Sequence, residues 1–145
     1  MSKLWKAGVL ALGFAALSHS VLADSPIGSW KTIDDDTKQA KAVVQIAEGA
    51  NGELSGKIVK LFQNPEVVCE ACDGDRKGKP VNGMTILWGL KKDGDSWANG
   101  KILDPHNGKV YSAKMKLVEG GKKLEVRGFL GVSLLGRTQV WERQQ

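Results

Sequence analysis

The chain has 145 residues, 41% hydrophobic and 26% charged, enough for a single core of ordinary small size. Its formal net charge is +5, and its lysines alternate with apolar residues, as in Ala113-Lys114-Met115-Lys116-Leu117, without forming a long run. That spacing excludes the basic stripe with interleaved aromatics that nucleic-acid binding requires, and reads as the solvated faces of strands.

The first 23 residues read as a cleaved secretory signal. Lys3 and Lys6 precede an apolar run from Ala7 to Leu17, which closes on Val21-Leu22-Ala23, small or apolar where a signal peptidase reads. An uncleaved anchor is the competing reading, but the run falls well short of the roughly 20 residues that a spanning helix needs. No cysteine stands at the cleavage point, which argues against a lipid anchor. The expected mature chain is one domain, 24–145, periplasmic or secreted, with no stable membrane anchor. Losing Lys3 and Lys6 takes the formal charge from +5 to +3.

From residue 28 onward the pattern is strands and tight turns. Ala42, Val44 and Ile46 alternate with polar or small neighbours; so do Tyr111, Ala113, Met115 and Leu117, and again Leu124, Val126, Gly128 and Leu130. Hairpin signals stand between such runs at Asn51-Gly52, Asp93-Gly94, Asn107-Gly108 and Gly120-Gly121. About eight strands are expected, near 28–33, 41–48, 53–61, 84–91, 96–103, 109–118, 122–130 and 137–143. Short sequential connections make an antiparallel meander. Eight strands can close into an up-and-down barrel, which removes exposed edges and leaves an interior for side chains or one small ligand. A two-sheet sandwich competes, but a Greek key needs a long return that the hairpins do not provide. The run Gly83–Lys92 is apolar on both faces, so a short buried helix is an alternative there.

Cys69 and Cys72 are the only cysteines and lie in the longest connection, 62–83. A thioredoxin-like centre needs a helix N-terminus in a βαβ setting, whereas the flanks here are turn-rich. A structural zinc site needs four ligands, and His106 is the only further histidine of the mature chain. A disulfide staple in an oxidising compartment needs nothing more, and is the favoured reading of the three. The Asp34-Asp35-Asp36 run fits a solvated turn better than a calcium loop, because its acids do not alternate along a loop. His106, in Asp104-Pro105-His106-Asn107-Gly108, reads as part of a turn. No nucleophile elbow, phosphate loop or two-histidine helix is present, so no catalytic residue, metal or cofactor is expected.

Gly28-Ser29-Trp30 opens the first strand, and Arg137 and Arg143 flank the last, Gly136–Arg143. A Gly-x-Trp at the start of an eight-stranded barrel with a late arginine resembles the calycins: lipocalins, fatty-acid-binding proteins and avidins. That resemblance implies a barrel floor made by Gly28, Trp30 and the arginines Arg137 and Arg143, with a guanidinium stacked on an indole. Five longer motifs, GSWKTIDDDT, GKIVKL, CEACDGDRKGKPVNGMTILWGLKKDG, GKILDPHNGKVY and RGFLGVSLLGRTQVWER, are similar to the bacterial family called domain of unknown function 2147. It implies a secreted lipocalin-like barrel and no particular reaction. The chain departs from lipocalins in lacking a helix after the barrel, and from fatty-acid-binding proteins in lacking a helical pair after the first strand.

The expected function is binding or carriage of a small apolar ligand, lined by Phe62, Met84, Ile86, Trp88, Trp97, Met115, Leu117 and Trp141. An inward-facing arginine of the last strand would meet a ligand carboxylate. Two alternatives stand beside it: a protein-interaction module using the stapled 62–83 loop, and thiol redox chemistry at Cys69 and Cys72.

Overall fold

The computed structural model describes residues 24–132 and 135–144. The expected signal segment lies outside the described residues. Eight antiparallel strands follow one another: β1 (Gly28–Ile33), β2 (Ala40–Glu48), β3 (Leu54–Leu61), β4 (Thr85–Asp93), β5 (Ser96–Asp104), β6 (Lys109–Val118), β7 (Lys123–Phe129) and β8 (Gly136–Arg143). Each pairs with its neighbour in sequence, and β8 returns to β1 to close the barrel. The meander and the barrel are therefore as expected, with strand ends within two residues of those read from the pattern.

The turns sort into two ends. At one end lie the tight turns after β2, β4 and β6, together with the chain before β1; this is the floor. At the other lie the turn 34–39, the long 62–84 connection, the turn 105–108 and the link between β7 and β8; this is the mouth. Closure is made near the floor, where Trp30 pairs with Arg143 and Lys31 with Glu142.

Register fixes what faces inward. Trp30 pairs with Val44, Val44 with Ile58, Leu54 with Leu90, Trp97 with Met115, Met115 with Val126, and Leu124 with Trp141. All of these are buried and belong to one continuous core. Two inward glycines make that packing fit. A Cβ on Gly56 would stand 3.0 Å from Val44 Cγ1, and one on Gly100 would stand 2.5 Å from Leu90 Cγ. Large side chains thus occupy the room that the glycines vacate.

The two-sided apolar pattern of β4 has a simple cause. Leu87 and Leu90 point into the barrel, opposite Gly56 and Leu54. Ile86 and Trp88 take the other face, where Trp88 sits beside the exposed Lys101. Ile86 is nonetheless buried, in one continuous core with Leu103 and with Cys69, Cys72, Val81 and Met84 from the long connection. That connection folds against the outside of the wall, so this strand is covered on both sides. It is a strand and not the helix that its pattern also allowed, with Gly89 at φ +76 between its two inward leucines.

Candidate functional site

The floor is a single interlocked unit. Trp30 is fully buried, and its Nε1 donates to the Pro26 carbonyl at 2.8 Å. The Arg143 guanidinium lies over the indole, 4.3 Å from the ring centroid. Its Nε donates to the Gly121 carbonyl at 2.8 Å, Nη2 to Ser25 at 2.8 Å and Nη1 to Ile27 at 3.3 Å. One side chain thereby ties the chain before β1 and the β6–β7 turn to the last strand. Burial lowers the Arg143 pKa from its ordinary value, yet a guanidinium stays charged at neutral pH. Gly28 has φ +136, and a Cβ there would stand 3.1 Å from Arg143 Nη1. The glycine of Gly-x-Trp therefore has two local reasons: a backbone that L side chains rarely adopt, and the guanidinium beside it.

Arg137 does not join that floor. It shares the inward row of β8 with Gln139, Trp141 and Arg143 but stands at the mouth end, 68% exposed, with its Nε 3.5 Å from Asp35 Oδ2. Six residues of strand span about 20 Å, so two arginines on one row lie at opposite ends.

The expected ligand-lining residues divide into three groups. Trp97, Met115 and Trp141 face inward but are buried in the floor half, and Leu117 packs against the same core. Ile86 and Trp88 take the outer face of β4, where the Arg76 guanidinium covers the Trp88 ring at 4.6 Å, and Met84 is buried in the connection just before that strand, its carbonyl accepting from the Ile58 amide at 2.9 Å. Phe62 is exposed at the mouth, with Lys60 Nζ 4.9 Å from its ring centroid. None of the eight lines an open barrel interior, since Ala113 and the residues below it are packed.

Sequence reasoning missed the residues above that packed layer. Thr32, Leu61, Ile102, Tyr111 and Gln139 are half-buried and follow the inward registers at the mouth end. Ala42 and Gly128 are the small neighbours among them; Ile102 Cγ2 would be 3.3 Å from a Cβ on Gly128. The Tyr111 hydroxyl accepts from Asn107 Nδ2 at 3.1 Å, and Gln139 Oε1 accepts from Trp141 Nε1 at 3.0 Å. Together they stand at the open end of the inward rows, with the polar atoms of Tyr111 and Gln139 among apolar neighbours. Their signal was present in the alternation of β6, which puts Tyr111 on the row of Ala113 and Met115.

Cys69 and Cys72 form a disulfide and both are buried. Cys69 Sγ lies 3.4 Å from the Pro105 carbonyl, and the Ala71 carbonyl packs directly over Gly108. The staple therefore holds the long connection onto the β5–β6 turn. A hollow of about 350 Å³ opens on the outer side of this connection, between Arg76, Pro80, Asn82 and Thr85. Asp34 serves the first mouth turn: its Oδ1 accepts from the amides of Asp36 and Thr37 at 2.8 and 2.9 Å, which lowers its pKa from the ordinary value. In the β5–β6 turn, Asp104 Oδ1 accepts from the amide of His106 at 2.9 Å.

The model of a bacterial family described as "Uncharacterized protein conserved in bacteria (DUF2147)" matches residues 28–143. A solved structure described as "Protein HP1028 from the human pathogen Helicobacter pylori belongs to the lipocalin family" is similar, with a TM-score of 0.72 at 19% identity, over 82% of each chain. That likeness shows a shared lipocalin-like fold. No curated protein matches the chain.

Proposed function

The chain belongs to the DUF2147 family of bacterial proteins, and from that premise we propose that it is a periplasmic or secreted barrel that binds a small apolar ligand at its mouth. The observation that carries this is where apolar surface is exposed. Val59, Phe62, Val67, Val110, Leu130, Val132, Leu135 and Val140 are the large hydrophobics that stand open among the described residues. Seven of the eight are in the mouth half or its connections; Val140 stands lower on β8, opposite Glu125, and none is on the floor turns. Scattered exposed hydrophobics need no explanation, but a one-ended concentration marks a binding surface. The half-buried residues Thr32, Leu61, Ile102, Tyr111 and Gln139 lie at that same end, and in this reading they line a shallow cup. Apolar walls with a few orienting polar groups suit a small hydrophobic molecule. Arg137 at the rim would meet a ligand carboxylate in place of Asp35. Because the floor is filled by Trp30 and Trp141, the ligand enters only part-way.

The test is native mass spectrometry of protein taken from its own periplasm, followed by organic extraction. A stoichiometric apolar molecule is expected. The companion variant is Thr32→Trp, which fills the cup while leaving the packed floor alone. It should abolish uptake of a fluorescent apolar probe with the melting temperature retained. A probe that binds the variant as well as the parent refutes the mouth as its site.

A further inference from the structure

One side of the mouth carries more than a cup. Leu130, Val132 and Leu135, in the link between β7 and β8, are 53%, 59% and 69% exposed. Val110 at the start of β6 is exposed beside them in chain order of strands, and Phe129 takes the outward row at the end of β7. Two cations, Lys114 and Arg127, stand together on the outward rows of the same wall. From Pro105 to Val118 and from Val126 to Trp141 the chain has Lys109, Lys114, Lys116, Arg127 and Arg137, and no carboxylate. Lys114 is directly opposite Arg127 across β6 and β7. Two cations so placed make a local positive patch on the wall. Arg127 Nη1 also donates to Thr138 Oγ1 at 3.0 Å, which fixes it on the wall. The other cations each face a carboxylate: Lys109 is opposite Asp104, Lys116 opposite Glu125 toward the floor, and Arg137 lies against Asp35 across the mouth.

An apolar crown bordered by cations matches the boundary between acyl chains and anionic headgroups. We propose that the β6–β8 side of the mouth docks on a membrane surface rich in anionic lipid, with Leu130, Val132 and Leu135 at the acyl boundary and Lys114 and Arg127 at the phosphates. This is contact by the rim. The barrel wall carries Lys31, Lys57, Lys91, Lys101, Glu125 and Glu142 on its outward rows, whereas a barrel that spans a bilayer presents an apolar band there. A second copy of the chain fits the surface less well, because two cationic faces would meet. The inference does not depend on the ligand reading, since a barrel that holds nothing would dock in the same way.

The experiment is vesicle co-sedimentation of the 24–145 chain. Vesicles of phosphatidylcholine alone are compared with equal parts of phosphatidylcholine and phosphatidylglycerol. Binding is expected to the mixed vesicles only, and to weaken as salt is raised. Lys114→Gln should weaken it about fivefold, the worth of one basic residue near an anionic surface. Leu130→Asp with Val132→Asp should weaken it more than about tenfold. Lys57→Gln, on the opposite wall, should leave it unchanged. If the aspartate pair fails to fold by circular dichroism, Lys114→Gln and the salt series carry the test. No retention on phosphatidylglycerol, or retention indifferent to Lys114→Gln, overturns the proposal. So does a concentration-dependent dimer in sedimentation velocity that Leu130→Asp dissolves, which would assign the face to a second copy.

Discussion

Replacing Arg143 by alanine tests the floor most directly. The side chain makes two hydrogen bonds of 2.8 Å to the carbonyls of Gly121 and Ser25, and a longer one of 3.3 Å to Ile27. A net hydrogen bond contributes about 1 kcal/mol, and the stacking over Trp30 about another 1 kcal/mol. Counting the two short bonds and the stack, Arg143→Ala should cost about 3 kcal/mol. Arg143→Lys keeps the charge over the indole but loses the planar fork that reaches several carbonyls at once. It should cost about 1–2 kcal/mol. The assay is urea unfolding followed by tryptophan fluorescence, since Trp30, Trp97 and Trp141 are all buried. The midpoint should fall with the slope unchanged. Because the guanidinium is charged throughout the neutral range, the loss should not vary with pH there. A cost under about 1 kcal/mol for the alanine variant, or a lysine variant equal to the parent, would refute the view that one fork locks both ends of the chain to the β6–β7 turn.

Trp30→Ala removes the plug itself and should cost about 3–5 kcal/mol in the same assay; a smaller loss than that of Arg143→Ala would show that the indole is not the centre of the floor. Reducing Cys69–Cys72 should cost about 2 kcal/mol, the entropy of a very short closed loop. Both sulfurs are buried, so reduction by a small thiol should be slow in the folded protein and fast in urea, and rapid native reduction would revive the redox reading. Gly108→Ala should lower the melting temperature and speed that reduction, because its Cβ would collide with the Ala71 carbonyl and its φ is +74. Asp34 should titrate by NMR below the ordinary aspartate value of 3.8. Its folded pKa is depressed, so the contribution of its turn is present above the unfolded pKa and lost as pH falls through the folded one; a midpoint above 3.8 would remove the turn bonds from the explanation.

Much of this molecule was legible in its chain. Alternation of period two located the strands, and glycine and asparagine pairs located the hairpins, because both are local steric rules. Gly28-Ser29-Trp30 announced a floor, and the spacing of Cys69 and Cys72 allowed the staple that forms. The end of the barrel at which a residue stands was not legible, because alternation names a face and not a height. Arg137 and Arg143 are on one row of β8, yet one pairs with Asp35 at the mouth and the other stacks on Trp30 at the floor. Nor could pattern say what covers the outward face of β4. Ile86 and Trp88 look like lining residues until the 62–84 connection folds over them. The filling of the barrel was likewise a tertiary outcome. It depends on which large side chain faces which glycine across a strand pair, as Leu90 faces Gly100 and Leu87 faces Gly56. Those meetings are set by register across the sheet, which joins residues far apart in the chain.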